Sequence, residues 1–343
     1  MRTVWVMLLA LAVAACARSG QVRLNGAGAT FPYPLYSRWV EEYKAVAPDT
    51  RINYQSIGSG GGIRQLLEGT VDFGASDAPM NSDEFGKAPG PIVHIPTTLG
   101  AVVVVYNVPQ VKEGLKLTPE LLAGIFLGRV KTWNDPALVQ ANPGEKLPDL
   151  PIAVVHRSDG SGTTAVFTEY LAAVSPDWKA KVGVGKSVEW PLGLGGKGNE
   201  GVTGQVKTTP GALGYTELAY ARQTQLAVAQ LRNRAGRFVT PAIESISAAA
   251  AGVKDIPEDL RVSIVDAPGD GAYPISAFTY ILAYEEQPDP ARGAALAKFL
   301  WWAVHEGQRF GPDLDYAPLP PEIVKRTEAR LRLLKSAGKP LVD

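Results

Sequence analysis

Apolar residues recur along this chain at two alternating periods, one suited to strands and one to helices, and their succession predicts the elements in order. A short strand is expected at residues 22–24. Thr30-Phe31-Pro32-Tyr33-Pro34 then leads into a helix over 35–43, where apolar positions fall at helical spacing. Thr30 suits the N-cap of that helix, and proline is tolerated in a first turn because its missing N–H needs no partner there. A strand at 51–54, a glycine-rich turn, a helix at 63–68 and a strand at 73–75 continue a parallel α/β succession. A strongly apolar stretch from 92 onward carries a strand at 100–106 into a second unit, with helices near 119–127 and 163–174 and a strand at 151–155 between them. Another apolar run at 277–284 follows Pro268-Gly269-Asp270-Gly271. Helices at 291–305 and 321–334 end the chain, the last amphipathic and arginine-rich in the manner of a solvated face. Two long extended crossings suit the hinge of a two-lobed binding protein; one large mixed sheet is the other arrangement the pattern allows.

With 343 residues the chain has room for two domains and a substantial core. Lys plus Arg equals Asp plus Glu at 34 each, so no long-range attraction to nucleic acid or to an anionic membrane is expected. The start reads as a targeting segment over residues 1–19: Arg2 precedes an apolar stretch, 4–15, that is short for a bilayer span and breaks at Cys16-Ala17-Arg18-Ser19-Gly20. Val13-Ala14-Ala15-Cys16 fits a bacterial lipobox, in which Cys16 becomes the lipidated first residue. Ala15-Cys16-Ala17 also fits a small-x-small cleavage site, with release after Ala17. Cys16 is the single cysteine, so the exported body has no internal disulfide and its fold rests on its core.

Three segments of one form introduce the chemistry. Gly26-Ala27-Gly28-Ala29-Thr30-Phe31-Pro32, Gly58-Ser59-Gly60-Gly61-Gly62 and Arg157-Ser158-Asp159-Gly160-Ser161-Gly162-Thr163 each set glycines and small hydroxyl residues before an expected helix. Helix starts expose backbone N–H groups that attract anions without metal or cofactor. Singly, each segment is also an ordinary cap or sharp turn. Together, with one strongly placed arginine, they describe a receptor for a small oxyanion. Thr30, Ser59, Ser161 and Thr163 can each donate an O–H, and Gly162 removes a side-chain barrier to backbone N–H groups. Phe31 offers its N–H while its ring excludes solvent. Arg157 has the fork geometry for two oxyanion oxygens, or else for a surface salt bridge to Asp159, which can also hold the guanidinium for a ligand. Asp77 either caps Ala78-Pro79 or faces the anion. In the second case it selects phosphate, which keeps a proton near its second ionisation at roughly pH 7 and can donate it to the carboxylate. Fully ionised sulfate has no proton to offer, so there the carboxylate is an unmatched like charge.

These motifs resemble the periplasmic phosphate-binding receptors of bacterial phosphate-specific ABC transporters. The similarity runs through the three segments above, Val71-Asp72-Phe73-Gly74-Ala75-Ser76-Asp77, Trp190-Pro191-Leu192-Gly193-Leu194-Gly195-Gly196-Lys197-Gly198-Asn199, Pro210-Gly211-Ala212-Leu213-Gly214-Tyr215 and Asp313-Leu314-Asp315-Tyr316-Ala317-Pro318-Leu319-Pro320. It covers almost the whole exported chain. The resemblance implies an α/β, two-lobed periplasmic-binding-protein fold with mixed sheets, hinge crossings and an interlobe ligand cleft. One lobe would be 20–100 completed by 277–343, and the other 101–276. It implies phosphate ligation by Thr30, Phe31, Ser59, Asp77, Arg157, Ser161, Gly162 and Thr163, with Asp159 supporting Arg157; Gly60 enriches a turn where serine also occurs in the family. The expected protein is a monomeric, non-enzymatic receptor without cofactor or metal. It would sit in the periplasm or at the extracytoplasmic face of a bacterial membrane, anchored through a lipid on Cys16, and pass inorganic phosphate to the permease subunits of an ABC importer.

Two catalytic readings compete. Ala180-Lys181-Val182-Gly183-Val184-Gly185-Lys186-Ser187 fits a relaxed phosphate loop, but that motif requires a strand before it and a helix after it, and Val188-Glu189-Trp190-Pro191 does not continue a helix easily. A phosphatase or other hydrolase would use Ser161 with Arg157, yet needs an activating base or metal. His94, His156 and His305 have no metal-like spacing and read as core or hydrogen-bonded residues.

Overall fold

The computed structural model describes residues 21–111 and 113–342. The leader and Cys16, with both processing alternatives, lie outside the described residues. The first half alternates β1 (Val22–Gly28), α1 (Tyr33–Val46), β2 (Thr50–Ser56), α2 (Ser59–Leu67), β3 (Phe73–Ser76) and the short α3 (Ser82–Gly86). β4 (Ile92–Asn107) then crosses the molecule to α4 (Pro119–Phe126), β5 (Ala153–Arg157), α5 (Gly162–Val174), β6 (Leu194–Gly196), α6 (Gly198–Thr208), β7 (Ala212–Glu217), α7 (Leu218–Thr224) and α8 (Ile243–Gly252). β8 (Ser276–Tyr284), α9 (Pro290–Val304) and α10 (Pro321–Leu331) bring the chain back.

The strand order is β2-β1-β3-β8-β4-β7-β5-β6. β1 pairs in parallel with β2 and β3, and β5 with β6 and β7, while β8 and β4 run antiparallel to their neighbours. β4 joins the two mixed halves: it pairs with β8 up to Ala101 and with β7 from Val102. All of its residues but Asn107 are buried, as its unbroken apolar run requires of a strand covered on both faces. The strand begins eight residues before the expected 100–106 and runs through Pro96. The register shifts there, with Thr279 opposite Thr98 and Tyr280 opposite Pro96, so Thr97 bulges out of the ladder. A bulge lets a central strand accept a residue without an N–H.

Each half has its own aromatic centre. Trp39 is fully buried and donates Nε1–H to the Gly307 carbonyl at 2.7 Å, which fastens α1 to the returning C-terminal segment. Trp133 and Trp178 are buried in the other half, donating to the carbonyls of Gly211 and Gly183. The indole N–H thus finds its acceptor in every case, as burial demands. Two expectations need correcting. α1 starts at Tyr33 with Pro32 at the cap position and no side-chain cap, so Thr30 is not its N-cap. The arginine-rich face of α10 is not simply solvated, because Arg326 donates to the carbonyls of Ile256 and Pro257 and Arg332 lies over the Trp301 ring. The relaxed phosphate loop has neither flank its motif requires, in keeping with the sequence reading: a short helix, Pro176–Lys181, precedes it and 182–193 is irregular.

Candidate functional site

Three helix N-termini meet where the two halves of the sheet face each other. Ser59 opens α2, and its Oγ accepts the N–H of Gly162, the first residue of α5, at 3.0 Å, and that of Asp77 at 3.4 Å. Asn199, in the first turn of α6, donates Nδ2–H to Thr30 Oγ1 at 2.8 Å and to Thr163 Oγ1 at 3.4 Å. Each helix start carries unpaired N–H groups and about half a positive charge, so their convergence makes a local anion-attracting field. Two glycines make the approach possible. Gly58 holds φ +86°, and a Cβ there would sit 2.3 Å from Asp159 Oδ2; a Cβ on Gly162 would sit 2.4 Å from Ser59 Oγ and 2.6 Å from Asp77 Oδ2.

The charged groups are layered around this point. Arg157 ends β5 with its side chain buried, and it does not form a surface salt bridge. Its Nε and Nη2 grip the two oxygens of Asp159 at 2.8 and 2.6 Å, and its Nη1 reaches Thr163 Oγ1 at 3.3 Å. Asp159 also accepts the Gly198 N–H at 3.0 Å. Burial pushes its carboxyl up, but the Arg157 fork and that N–H outweigh it and hold the group below the ordinary aspartate value. Below the guanidinium, the Tyr215 hydroxyl accepts the Arg157 N–H and pairs with Thr164 Oγ1 at 2.6 Å, while its ring stacks on Phe167 at 4.2 Å. That packing fixes where the end of β5 points.

Asp77 faces this cradle and is not a cap on the next residues; Ala78 N–H bonds to Ser76 Oγ instead. Its Oδ1 accepts from Thr279 Oγ1 at 2.9 Å and its Oδ2 from Thr163 Oγ1 at 3.5 Å. Burial raises its pKa to about 7, partly countered by the Thr279 hydrogen bond and by Arg157. A carboxyl poised near neutrality inside a positive cradle can accept a proton from a ligand or donate one to it. Thr30 and Phe31 are buried opposite, and their peptide is held by the Tyr220 hydroxyl on the Thr30 carbonyl and the Tyr316 hydroxyl on the Phe31 carbonyl, each at 2.6 Å. The Phe31 ring lies against Gly100, where a Cβ would come within 2.6 Å of it. Ser161 caps α5 by accepting the Thr164 N–H at 3.0 Å.

The structure therefore brings Thr30, Ser59, Asp77, Arg157, Asp159, Gly162 and Thr163 into one hydrogen-bonded cluster, with Phe31 and Ser161 adjoining it in the chain. Sequence reasoning assigned no role to Asn199, Thr279, Tyr215, Tyr220, Glu217 or Tyr316. For Asn199 a signal existed: Lys197-Gly198-Asn199 opens α6 in the same glycine-before-helix form as the other cradles. Thr279 sits in a uniformly apolar strand and carries no such mark. Glu217 is buried, with Oε2 accepting from Ala219 N–H and the Tyr316 hydroxyl, and burial pushes it well above the ordinary glutamate value.

No histidine side chain bonds to a side chain of the cluster among the described residues, although His156 Nδ1 lies 3.0 Å from the Arg157 carbonyl. His94 Nε2 accepts the Met80 N–H, and burial lowers its pKa to about 3, so it stays neutral. His156 stacks on Trp190 at 4.7 Å, and His305 bridges the Trp301 carbonyl and Glu328.

A family model described as the PBP superfamily domain matches residues 15–306. The chain is 48% identical over 310 residues to the phosphate-binding protein PstS of Xylella fastidiosa, covering 90% of this chain and 84% of that one. It is 45% identical over 340 residues to the PstS of Pasteurella multocida, covering 98% of both. Among solved structures, the periplasmic phosphate-binding protein PfluDING, bound with phosphate, superposes with a TM-score of 0.74 at 21% identity, covering 94% of this chain and 96% of that one. An ABC-type phosphate transport receptor from Vibrio cholerae gives 0.57 at 20% identity, covering 87% of this chain and all of that one. These two likenesses establish the two-lobed α/β binding-protein fold. The close relatives go further: matched at 45–48% identity over nine-tenths or more of its length, the chain belongs to the PstS family of phosphate-binding proteins in the PBP superfamily.

Proposed function

We propose that this protein captures inorganic phosphate without covalent chemistry and delivers it to the permease of an ABC importer. The observation that carries the reading is Asp77: a buried carboxyl with a pKa of about 7, set among three helix N-termini and the Arg157 guanidinium. Thr30, Phe31, Ser59, Arg157, Ser161, Gly162 and Thr163 would supply donors to the phosphate oxygens, Asp77 would take the hydrogen bond of the ligand's own proton, and Asp159 would hold Arg157 in place. The change of partner along β4 at Ala101 and Val102 supports lobes of 20–100 with 277–343 and of 101–276. A ligand touching both would favour the closed arrangement. Membership of the family supports a periplasmic or extracytoplasmic location. The Cys16 segment supports a lipid anchor, in which more than one acyl chain is needed for firm attachment. An intact mass showing an unmodified chain from Arg18 would end the anchoring proposal. A monomer is the working state we infer.

Calorimetric titration of ligand-stripped protein with phosphate and sulfate tests the central claim. The unmodified protein should prefer phosphate, and Asp77→Asn should narrow the preference, because the amide removes the like charge that disfavours sulfate yet still makes a hydrogen bond. Arg157→Ala should weaken both anions together, since it removes a bidentate donor and no proton acceptor. A preference for sulfate, or an unchanged ratio in Asp77→Asn, would refute the role of Asp77.

A further inference from the structure

Three hydroxyls of the cradle share one property: each already accepts hydrogen bonds from two groups that can only donate. Ser59 Oγ receives the backbone N–H groups of Gly162 and Asp77 at 3.0 and 3.4 Å. Thr30 Oγ1 receives the backbone N–H of Asn199 at 3.3 Å and its side-chain Nδ2–H at 2.8 Å. Thr163 Oγ1 receives Arg157 Nη1–H at 3.3 Å and Asn199 Nδ2–H at 3.4 Å. A hydroxyl has two lone pairs and one hydrogen, so with both lone pairs taken its remaining capacity is to donate. Asn199 serves two of the three.

The orientation of the Asn199 amide is itself determined. The residue is fully buried, and its Oδ1 lies 3.2 Å from the Glu217 backbone N–H and 3.2 Å from Thr216 Oγ1. A backbone N–H cannot accept, so the oxygen must face Glu217 and the NH2 must face the threonines. We propose that Asn199 is a positioning residue that sets the hydrogen-bond polarity of the cradle: it makes the Thr30 hydroxyl an obligatory donor toward a bound oxyanion, and the Thr163 hydroxyl a donor whose one hydrogen is shared between that ligand and Asp77 Oδ2, 3.5 Å away. The inference rests on the phosphate reading above. It also sharpens that reading: with the hydroxyls committed to donation, Asp77 is left to accept the ligand's proton.

Isosteric replacement tests polarity apart from shape. In Asn199→Asp the Oδ2 atom would accept from the Thr30 and Thr163 hydroxyls, turning their hydrogens away from the ligand and presenting lone pairs to its oxygens. Titration with inorganic phosphate at about pH 8 should show affinity down on the order of 100-fold for Asn199→Asp and about tenfold for Asn199→Ala, from the loss of charge-assisted bonds. The deficit of Asn199→Asp relative to the unmodified protein should shrink as pH falls toward about 5, where the new carboxyl takes up a proton and donates again. The deficit of Asn199→Ala should stay constant. Charge repulsion alone is separated by a double-mutant cycle with Thr30→Ala: orientation predicts that the Asn199 changes matter several-fold less once the Thr30 hydroxyl is gone, whereas repulsion or a purely structural role adds independently. If Asn199→Asp does not fold by circular dichroism, the cycle between Asn199→Ala and Thr30→Ala decides the matter in the same way. Additive losses in the cycle, or a deficit of Asn199→Asp that does not change with pH, would overturn the assignment of Asn199 while the phosphate reading stands. Failure of the unmodified protein to bind phosphate would overturn that reading and this inference with it.

Discussion

Asp77 shows how one side chain can carry both specificity and a pH signature. Its carboxyl is raised from an ordinary value of 3.8 to about 7 by burial. A raised pKa means the folded state holds the proton more tightly than the unfolded one. The stabilisation is therefore full below about pH 4, falls by about 1.4 kcal/mol per unit as pH rises, and is gone once pH passes the folded value near 7. Between about pH 5 and about pH 7.5, ligand-free Asp77→Asn should thus gain a few kcal/mol on the unmodified protein, as read by denaturant unfolding in phosphate-free buffer. An unchanged difference across that range would show that the carboxyl is already ionised in the folded state. The same proton bears on selectivity. Once protonated, Asp77 can donate to sulfate, so sulfate affinity should rise as pH falls through 7, and that rise should vanish in Asp77→Asn. Sulfate titrations that are flat across this range in both proteins would contradict the geometry.

At the level of elements, the glycine–hydroxyl segments pointed to anion-binding helix starts, and two of the three lead directly into helices that meet in the cradle. Ser59 and Gly162 stand at the first positions of α2 and α5. Thr30 joins them by a different route, as an acceptor for α6 across the cleft. That was not readable locally, because a contact between residues 30 and 199 leaves no periodic trace in either segment. The positions of Thr97 and Thr279 were equally hidden. They depend on the register shift beside Pro96, and a one-residue shift re-aims side chains that pattern alone would assign to the core. What composition and spacing could show was the residue type at each helix start, and the closeness of those starts explains why glycine is required. Gly162→Ala would push a methyl group to 2.4 Å from Ser59 Oγ and 2.6 Å from Asp77 Oδ2. It should therefore leave α5 intact, since alanine favours helix, while preventing α2 and α5 from closing on each other. Phosphate binding should fall by on the order of 100-fold or more in calorimetry, with the helical circular dichroism spectrum preserved. Binding within a few-fold of normal would show that the two helix starts can separate without loss.

Across the whole molecule, the two lobes are clasped at the rim of the cleft as well as within it. Lys186, in the irregular stretch after Pro176–Lys181, donates to the Pro79 carbonyl at 3.2 Å and to Glu84 Oε2 at 2.9 Å. The side chains of this pair are only 13% and 20% exposed, so solvent screens it less than the surface pairs elsewhere on the molecule. Glu84 also accepts the Asn81 N–H at 2.8 Å, completing the capping box of α3, and the Lys186 carbonyl accepts the Ser161 N–H at the start of α5. The rim contact thus ties α3 to the segment that leads into α5; in the proposed division into lobes it spans the cleft and would break on opening. An interaction confined to the closed state shifts the closed population by its own free energy, about 1 kcal/mol for such a pair, or roughly fivefold. Glutamine also serves in a capping box, so Glu84→Gln removes the ion pair while keeping the cap. In stopped-flow measurements, Glu84→Gln and Lys186→Ala should each speed phosphate release by about two- to fivefold, and the double variant should add little to either single change. Phosphate over sulfate selectivity should stay as it is in Glu84→Gln, because its side chain bonds no cradle residue; Lys186→Ala also removes a charge that lowers the Asp77 pKa, so selectivity is read from Glu84→Gln. Raising the ionic strength should narrow the difference from the unmodified protein. Release rates that do not change, or losses that add in the double variant, would mean that the cleft is held shut by the cradle alone.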